Sequence, residues 1–276
     1  MPIIIEVSDP ADTRIEAFRS VRERDLVRGD AGFIAEGEVV LRSLMASPHY
    51  EPSSILIAKQ RLETLTPLLA QAPKGCPVYL AEQAVLDGIV GFNLHRGILA
   101  FGRRRAENEP EPVEDLLATL PENATILLLA GIANHDNLGG IFRNAAGFGV
   151  DLVLLDAGCC HPLYRKATRV SVGATLLVPW RRLPPDYDIA ALFTRHGIQG
   201  VALTPGGPHM LARLTRKPRM ALLLGAEGPG LPPELLAAAQ QVAIPMASGF
   251  DSLNVATTSG IALYHLIQVA SCQTAD

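Results

Sequence analysis

Gly225-Ala226-Glu227-Gly228-Pro229-Gly230-Leu231 follows the apolar run Ala221 to Leu224, and Ile244-Pro245-Met246 closes a second apolar run that begins at Val242. Each run reads as a short buried strand that delivers a glycine-rich or polar loop at its carboxyl end, with Ser252-Leu253-Asn254-Val255 just beyond the second. In α/β proteins that is where ligands bind. Glycine at 225, 228 and 230 permits backbone angles and close approaches that a Cβ forbids, and Glu227, the one carboxylate among them, is placed to orient a substrate. The spacing G-x-x-G-x-G is not that of a dinucleotide loop, and Pro229 with Pro232-Pro233 is expected to interrupt the helix start such a loop needs. It is not a P-loop either. Taken alone, the segment also reads as a plain Gly/Pro turn between strand and helix.

The 276 residues are 48% hydrophobic, enough for two domains with full cores. No amino-terminal stretch has the pattern of an export signal and no apolar run reaches membrane-spanning length, so a soluble, cytoplasmic protein is expected. Cys76, Cys159, Cys160 and Cys272 have neither framework nor C-x-x-C spacing, which makes reduced thiols the expectation. Adjacent Cys159-Cys160 before His161 chelates a single ion poorly, and no metal site is assigned. The net charge of −4 is misleading until it is divided by region. Residues 1–106 carry 13 basic and 13 acidic side chains, residues 107–122 none and 6, and residues 123–276 carry 11 and 9. Global charge therefore says little about an anionic partner. Local clusters say more: Arg103-Arg104-Arg105, Arg165-Lys166 with Arg169, and Arg213 with Arg216-Lys217 and Arg219, each a phosphate contact or a solvated surface.

Asp12 to Leu26 places Ile15, Phe18, Val21 and Leu26 near helical spacing, which predicts an exposed amphipathic helix. Phe33 to Met45 reads as strand, turn and helix, while Ser54 to Ala58, Val78 to Leu80 and Gly97 to Phe101 read as further strands. This alternation predicts a small α/β domain over residues 1–106. The acidic, proline-rich stretch 107–120 is expected to be a stiff linker, with a short helix over Val113 to Leu120. A second α/β domain over 121–276 opens with Thr125 to Ala130, an apolar strand of the kind buried on both faces. A helix over Ile141 to Phe148 then puts Arg143 near its start. Strands over Leu152 to Leu155 and Gly200 to Thr204, with a helix around Ile189 to Arg195, predict a mainly parallel sheet.

Three blocks, Asn134 to Val150, Leu224 to Leu231, and Ile244 through Val255, each at a strand-to-loop junction and in this order, together resemble the SpoU family of RNA ribose methyltransferases. The resemblance implies a carboxy-terminal trefoil-knot methyltransferase domain, an arrangement that periodicity cannot reveal. Phe33 to Gly37 with His95-Arg96-Gly97-Ile98 resembles, less specifically, the RNA substrate-binding domain often fused to such enzymes. The cofactor implied is S-adenosylmethionine, held by Leu203, Thr204, Gly225, Ile244, Met246 and Leu253, although Ile244 and Leu253 also read as core residues. An adenine ring suits an apolar slot with a few backbone donors and acceptors.

The resemblance also implies a catalytic set of Arg143, Asn137, Glu227, Ser252 and Asn254. A ribose 2′-hydroxyl attacks only when its proton is removed or its developing charge is stabilised. The family proposal makes the arginine a general base; a guanidinium is essentially always protonated, which favours bidentate grip of the adjacent phosphate and stabilisation of the oxyanion. The chain departs from the common family pattern at Ala256, where a serine is usual, so no hydroxyl acts there. The function implied is transfer of methyl from S-adenosylmethionine to a ribose 2′-hydroxyl of structured RNA, ribosomal before transfer RNA, by a homodimer. Two alternatives remain, a non-catalytic RNA-binding protein on the same fold and a knotted methyltransferase acting on a base.

Overall fold

Short apolar runs too brief for helices order this chain, because each must be paired and covered on both faces. The computed structural model describes residues 3–19, 32–90, 97–106, 111–185, 187–248 and 252–269. In chain order these form β1 (Ile3–Val7), a 3-10 turn at Thr13–Phe18, β2 (Phe33–Glu36), α1 (Glu38–Ala46), β3 (Tyr50–Ala58), α2 (Leu62–Leu69), β4 (Pro77–Ala81), α3 (Gln83–Val90) and β5 (Ile98–Arg104). Then come α4 (Val113–Thr119), β6 (Thr125–Ala130), α5 (His135–Phe148), β7 (Leu152–Leu155), α6 (Arg165–Val170), β8 (Trp180–Arg182), α7 (Ile189–His196) and β9 (Gln199–Leu203). The chain continues through β10 (His209–Met210), β11 (Met220–Gly225), α8 (Pro233–Ala237), β12 (Gln240–Ala243) and α9 (Val255–Leu263), which runs on as a π-helical segment, Tyr264–Val269.

The chain divides into two compact units, one of Met1–Glu109 with His161–Leu177, the other of Pro110–Cys160 with Val178–Asp276. In the first, the sheet order is β1-β4-β3-β5-β2, with β1, β4 and β3 parallel and β5 antiparallel to both its neighbours. Val7, Leu56, Tyr79 and Leu99 from the strands pack on Ile15, Phe18 and Leu86. The expected amphipathic helix over 12–26 is, where described, a 3-10 turn that buries Ile15 and Phe18. Val21 and Leu26 lie outside the described residues, as do His95, Arg96, Cys272 and the Glu107–Pro110 part of the expected linker.

Residues 161–177 were expected to belong with the carboxy-terminal domain, yet they pack with the first unit. The reason is a set of side-chain contacts to their backbone and charges. Ser47 Oγ donates to Leu176 O at 2.5 Å, Ser43 Oγ donates to Val172 O at 3.2 Å, and the buried Glu36 carboxylate faces Arg169 at 3.4 Å and Arg165 at 3.8 Å. Three chain crossings rather than one therefore join the units.

The second unit is a seven-stranded sheet of order β10-β12-β9-β11-β6-β7-β8, parallel at every named pairing. Every residue of β6 and β7 is buried, as strands covered on both faces require. Two local expectations change. The prolines after Gly230 start a helix rather than block one: Pro232 is the N-cap of α8 and Pro233 its first residue, where a missing N–H costs nothing. Helix α5 begins at His135, because Asn134 Oδ1 accepts from Asp136 N at 2.8 Å, so Arg143 sits in mid-helix rather than near the start. A 3-10 turn, Ala174–Leu176, precedes β8, which begins at Trp180.

The described part of the acidic stretch is docked on the second unit. Leu117 of α4 is fully buried in its core with Ile126, Leu192 and Phe193, and Val113, Leu116 and Leu120 pack alongside. Two arginines are spent on this segment, Arg219 donating to Leu120 O at 2.7 Å and Arg181 to Glu111 O at 3.2 Å, and Arg216 donates to Thr125 Oγ1 at 2.7 Å and Asn123 O at 3.3 Å just beyond it. These arginines are therefore structural. Leu117→Ala is expected to cost about 2–5 kcal/mol in urea unfolding of the full chain; a loss below about 1 kcal/mol, the surface-residue range, would contradict this docking.

Glu114 of α4 accepts from Tyr187 Oη at 2.9 Å, meets His196 Nε2 at 2.5 Å and pairs with Arg195. Its bonds to His196 first, then Arg195, hold its carboxyl down at about 2 against an ordinary 4.5. A carboxyl lowered in the fold stabilises above its unfolded pKa and loses that contribution as pH falls through the folded value. Glu114→Gln should therefore lower the melting temperature at pH 7, and the gap to the unmodified chain should close between about pH 4.5 and pH 2. A gap that stays constant over that range would mean the carboxylate charge is irrelevant.

Candidate active site

The carboxyl ends of β6, β9, β11 and β12 lie along one edge of the parallel sheet, and the segments that leave β9, β11 and β12 build a cavity of about 600 Å³. Leu203, Thr204 and Pro205 come from the end of β9, Leu224 to Gly230 from β11, Ile244 and Met246 from β12, and Ser252 to Val255 with Thr258 from the start of α9. The loop after β11 closes on itself: Gly230 N donates to Ala226 O at 3.0 Å, and a Cβ on Gly225 would stand 2.3 Å from the carbonyl carbon of Gly230. Only glycine fits at 225.

At the rim three polar side chains meet. Asn137, buried in the first turn of α5, donates from Nδ2 to Glu227 Oε1 at 2.9 Å. Asn254 donates from Nδ2 to Asn137 Oδ1 at 2.8 Å and to Glu227 Oε1 at 3.3 Å. Its Oδ1 meanwhile accepts from Ala256 N at 2.9 Å and Thr257 N at 3.3 Å, capping α9. Two amides thus fix one carboxylate.

The turn between β6 and α5 is held from behind. Asp156 accepts from Gly131 N at 3.0 Å and Cys159 N at 2.9 Å, Cys160 N donates to Ile132 O at 2.9 Å, and Arg182 donates to the carbonyls of Asp156, Cys159 and Cys160. The Cys159 thiol accepts from Ile132 N and donates to Leu129 O; burial, reinforced by the Asp156 charge, pushes its pKa far above the usual thiol value, and burial raises Cys160 to about 11. Neither is a nucleophile at neutral pH.

Of the residues singled out in the sequence, Leu203, Thr204, Gly225, Glu227, Ile244, Met246, Ser252, Leu253 and Asn254 line the cavity, and Asn137 reaches it through Glu227 and Asn254. Ile244 is half-buried and Leu253 is 43% exposed, so neither is a core residue. Arg143 does not line the cavity and is exposed on another face of α5. Pro205 and Thr258 line the cavity unheralded by the sequence. Thr258 lies one turn beyond the cap and donates to Asn254 O at 2.9 Å, a position that reads as ordinary helix without the coordinates.

The SpoU rRNA Methylase family profile matches residues 124–264. The chain belongs to this family. It is 40% identical to a Mycobacterium tuberculosis protein named an uncharacterized tRNA/rRNA methyltransferase, over 94% of this chain and 90% of the relative. It is 28% identical to the 23S rRNA (guanosine-2′-O-)-methyltransferase RlmB of Escherichia coli, over 82% and 93%. The crystal structure of an AdoMet-bound rRNA methyltransferase from Sinorhizobium meliloti shares the fold with a TM-score of 0.77 at 22% identity, over 95% and 97% of the two chains. The SpoU member is an RNA methyltransferase with S-adenosylmethionine as methyl donor, and its fold class is the mainly parallel α/β methyltransferase fold that the sequence implied.

The cavity fits that donor. Its volume is that of a cofactor site, its walls are mostly apolar, and among the lining residues none is basic while Glu227 is acidic, which suits a sulfonium cation. Asn254→Ala should lose the helix cap, about 0.5–2 kcal/mol by thermal or urea unfolding, and weaken S-adenosylmethionine binding. Asn254→Asp keeps a capping oxygen but sets a second carboxylate against Glu227, so most methyl transfer should be lost while stability largely survives. An Asp variant as active as the unmodified chain would show that the amide donors at the rim are dispensable.

Proposed function

We propose that this methyltransferase acts on a ribose 2′-hydroxyl of structured RNA, with ribosomal RNA as the substrate class, and works as a homodimer in the cytoplasm. The observation that carries the reading is the Asn137–Glu227–Asn254 cluster at the rim of a cavity built by loops at the ends of parallel strands. Similarity to RlmB, named a 23S rRNA (guanosine-2′-O-)-methyltransferase, supports the choice of acceptor and of RNA. Among the described residues no helix is long and apolar enough to cross a membrane. For the homodimer the support is an exposed apolar stripe on α9 and its continuation, Ile261 and Tyr264, beside Phe148 of α5.

In this reading Leu203, Thr204, Gly225, Ile244, Met246 and Leu253 hold the cofactor by apolar contact and backbone groups. When bound, S-adenosylmethionine supplies a methyl group on a positively charged sulfur. Asn137 and Asn254 direct Glu227 at the rim, where its carboxylate accepts a hydrogen bond from the incoming hydroxyl; its Oε2 has no hydrogen-bond partner among the described residues. Ser252, on the exposed part of the wall, contacts the target nucleotide. Arg143, exposed on α5 outside the cavity, grips a phosphate of the bound RNA. The first unit, a mixed sheet preceding the methyltransferase unit, serves RNA recognition.

Arg143→Ala and Arg143→Lys should each reduce methyl transfer to RNA from cells lacking this gene by about a hundredfold, while calorimetric affinity for S-adenosylmethionine stays close to that of the unmodified chain. A lysine variant with near-normal turnover would mean that bidentate phosphate geometry is not what the step needs.

A further inference from the structure

Asn137 and Asn254 come from different helices, α5 and α9, so their 2.8 Å contact requires the two first turns to keep a fixed register. Seven residues, two turns, beyond Asn137 on the same face of α5 stands Asn144. Its Nδ2 donates to Ala256 O at 2.7 Å and to Ser259 Oγ at 2.9 Å. Ser259, fully buried, turns its own hydroxyl proton to the same Ala256 carbonyl at 2.7 Å. Ala256 is the residue whose amide is capped by Asn254 Oδ1, so Asn144 grips α9 two residues past its cap. The helices come close enough for this because residue 140 has no side chain: a Cβ there would meet Ala256 Cβ at 2.8 Å.

Neither Asn144 nor Ser259 lines the cavity. We propose that Asn144 is a positioning residue for methyl transfer: by tying Ala256 and Ser259 to α5 it fixes Asn254, and with it the Ser252-Leu253 wall of the cavity, relative to Asn137 and Glu227. This rests on the methyltransferase reading above. A helix-packing residue with no such role costs stability but leaves the geometry of the folded site, and hence its affinity and turnover, unchanged. A displaced cap shifts both, because reacting groups tolerate little misplacement.

The test uses the full-length chain carrying Asn144→Ala, at a temperature where circular dichroism shows it folded. Calorimetric affinity for S-adenosylmethionine, kcat for methyl transfer to RNA from cells lacking the gene, and the melting temperature are measured together. The expected result is a kcat lowered about tenfold or more with a clear loss of cofactor affinity. Asn144→Ser, which keeps one short donor, should recover part of both, and it carries the same comparison if the alanine variant fails to fold. Leu117→Val, in the core beneath α4, is the stability control, and it should lower the melting temperature while leaving affinity and kcat as they were. Asn144 variants with the affinity and turnover of the unmodified chain would overturn the proposal, as would a Leu117→Val variant that loses as much activity for the same loss of stability. Failure of the methyltransferase reading would look different, since the unmodified chain itself would then transfer no methyl.

Discussion

The carboxamide of Asn254 uses its oxygen for one structure and its nitrogen for another. Oδ1 accepts the first free amides of α9, which starts that helix where it does. Nδ2 donates to Asn137 and Glu227, which come from α5 and from the loop after β11. One planar group with its donors and acceptors all engaged thereby joins three segments that lie up to 117 residues apart in sequence. Leu253 and Ser252, which precede it, form one wall of the cavity, so the cap also sets the shape of that cavity.

That arrangement depends on the sheet. Parallel strands bring the exits of β6, β9, β11 and β12 to one edge, and their burial on both faces leaves those exits as the places where polar groups can gather. The exit of β6 is braced by Asp156, Cys159 and the carbonyls gathered by Arg182, which fixes the start of α5 and so Asn137. Docking of α4 through Leu117, and the arginines spent on the carbonyls around it, tie the acidic stretch to the same unit.

The apolar strands were legible because burial on both faces writes itself as uninterrupted runs, as in Thr125 to Ala130 and Ala221 to Leu224. The cavity-lining residues were legible because three separated motifs resemble one family. Contacts across the fold were less so. The prolines at 232 and 233 read as a break, yet a helix takes proline without cost at its first position. Arg143 reads as near a helix start from the run Ile141 to Phe148 alone, but the cap at Asn134 begins the helix earlier. Sequence order groups residues 161–177 with the carboxy-terminal domain, whereas Ser43, Ser47 and Glu36 hold them to the first unit, and nothing in a linear pattern announces such partners. Asn144 and Thr258 give no signal in the sequence for the same reason: a polar residue in a helix reveals its partner only when the neighbouring helix is in view.

The central claim is that the methyl group arrives on a ribose oxygen. Labelled S-adenosylmethionine, the full-length chain and RNA from cells lacking the gene give a product that can be digested to nucleosides and then cleaved at the glycosidic bond. The account predicts that the label stays with the sugar. Label recovered on the free base would contradict it.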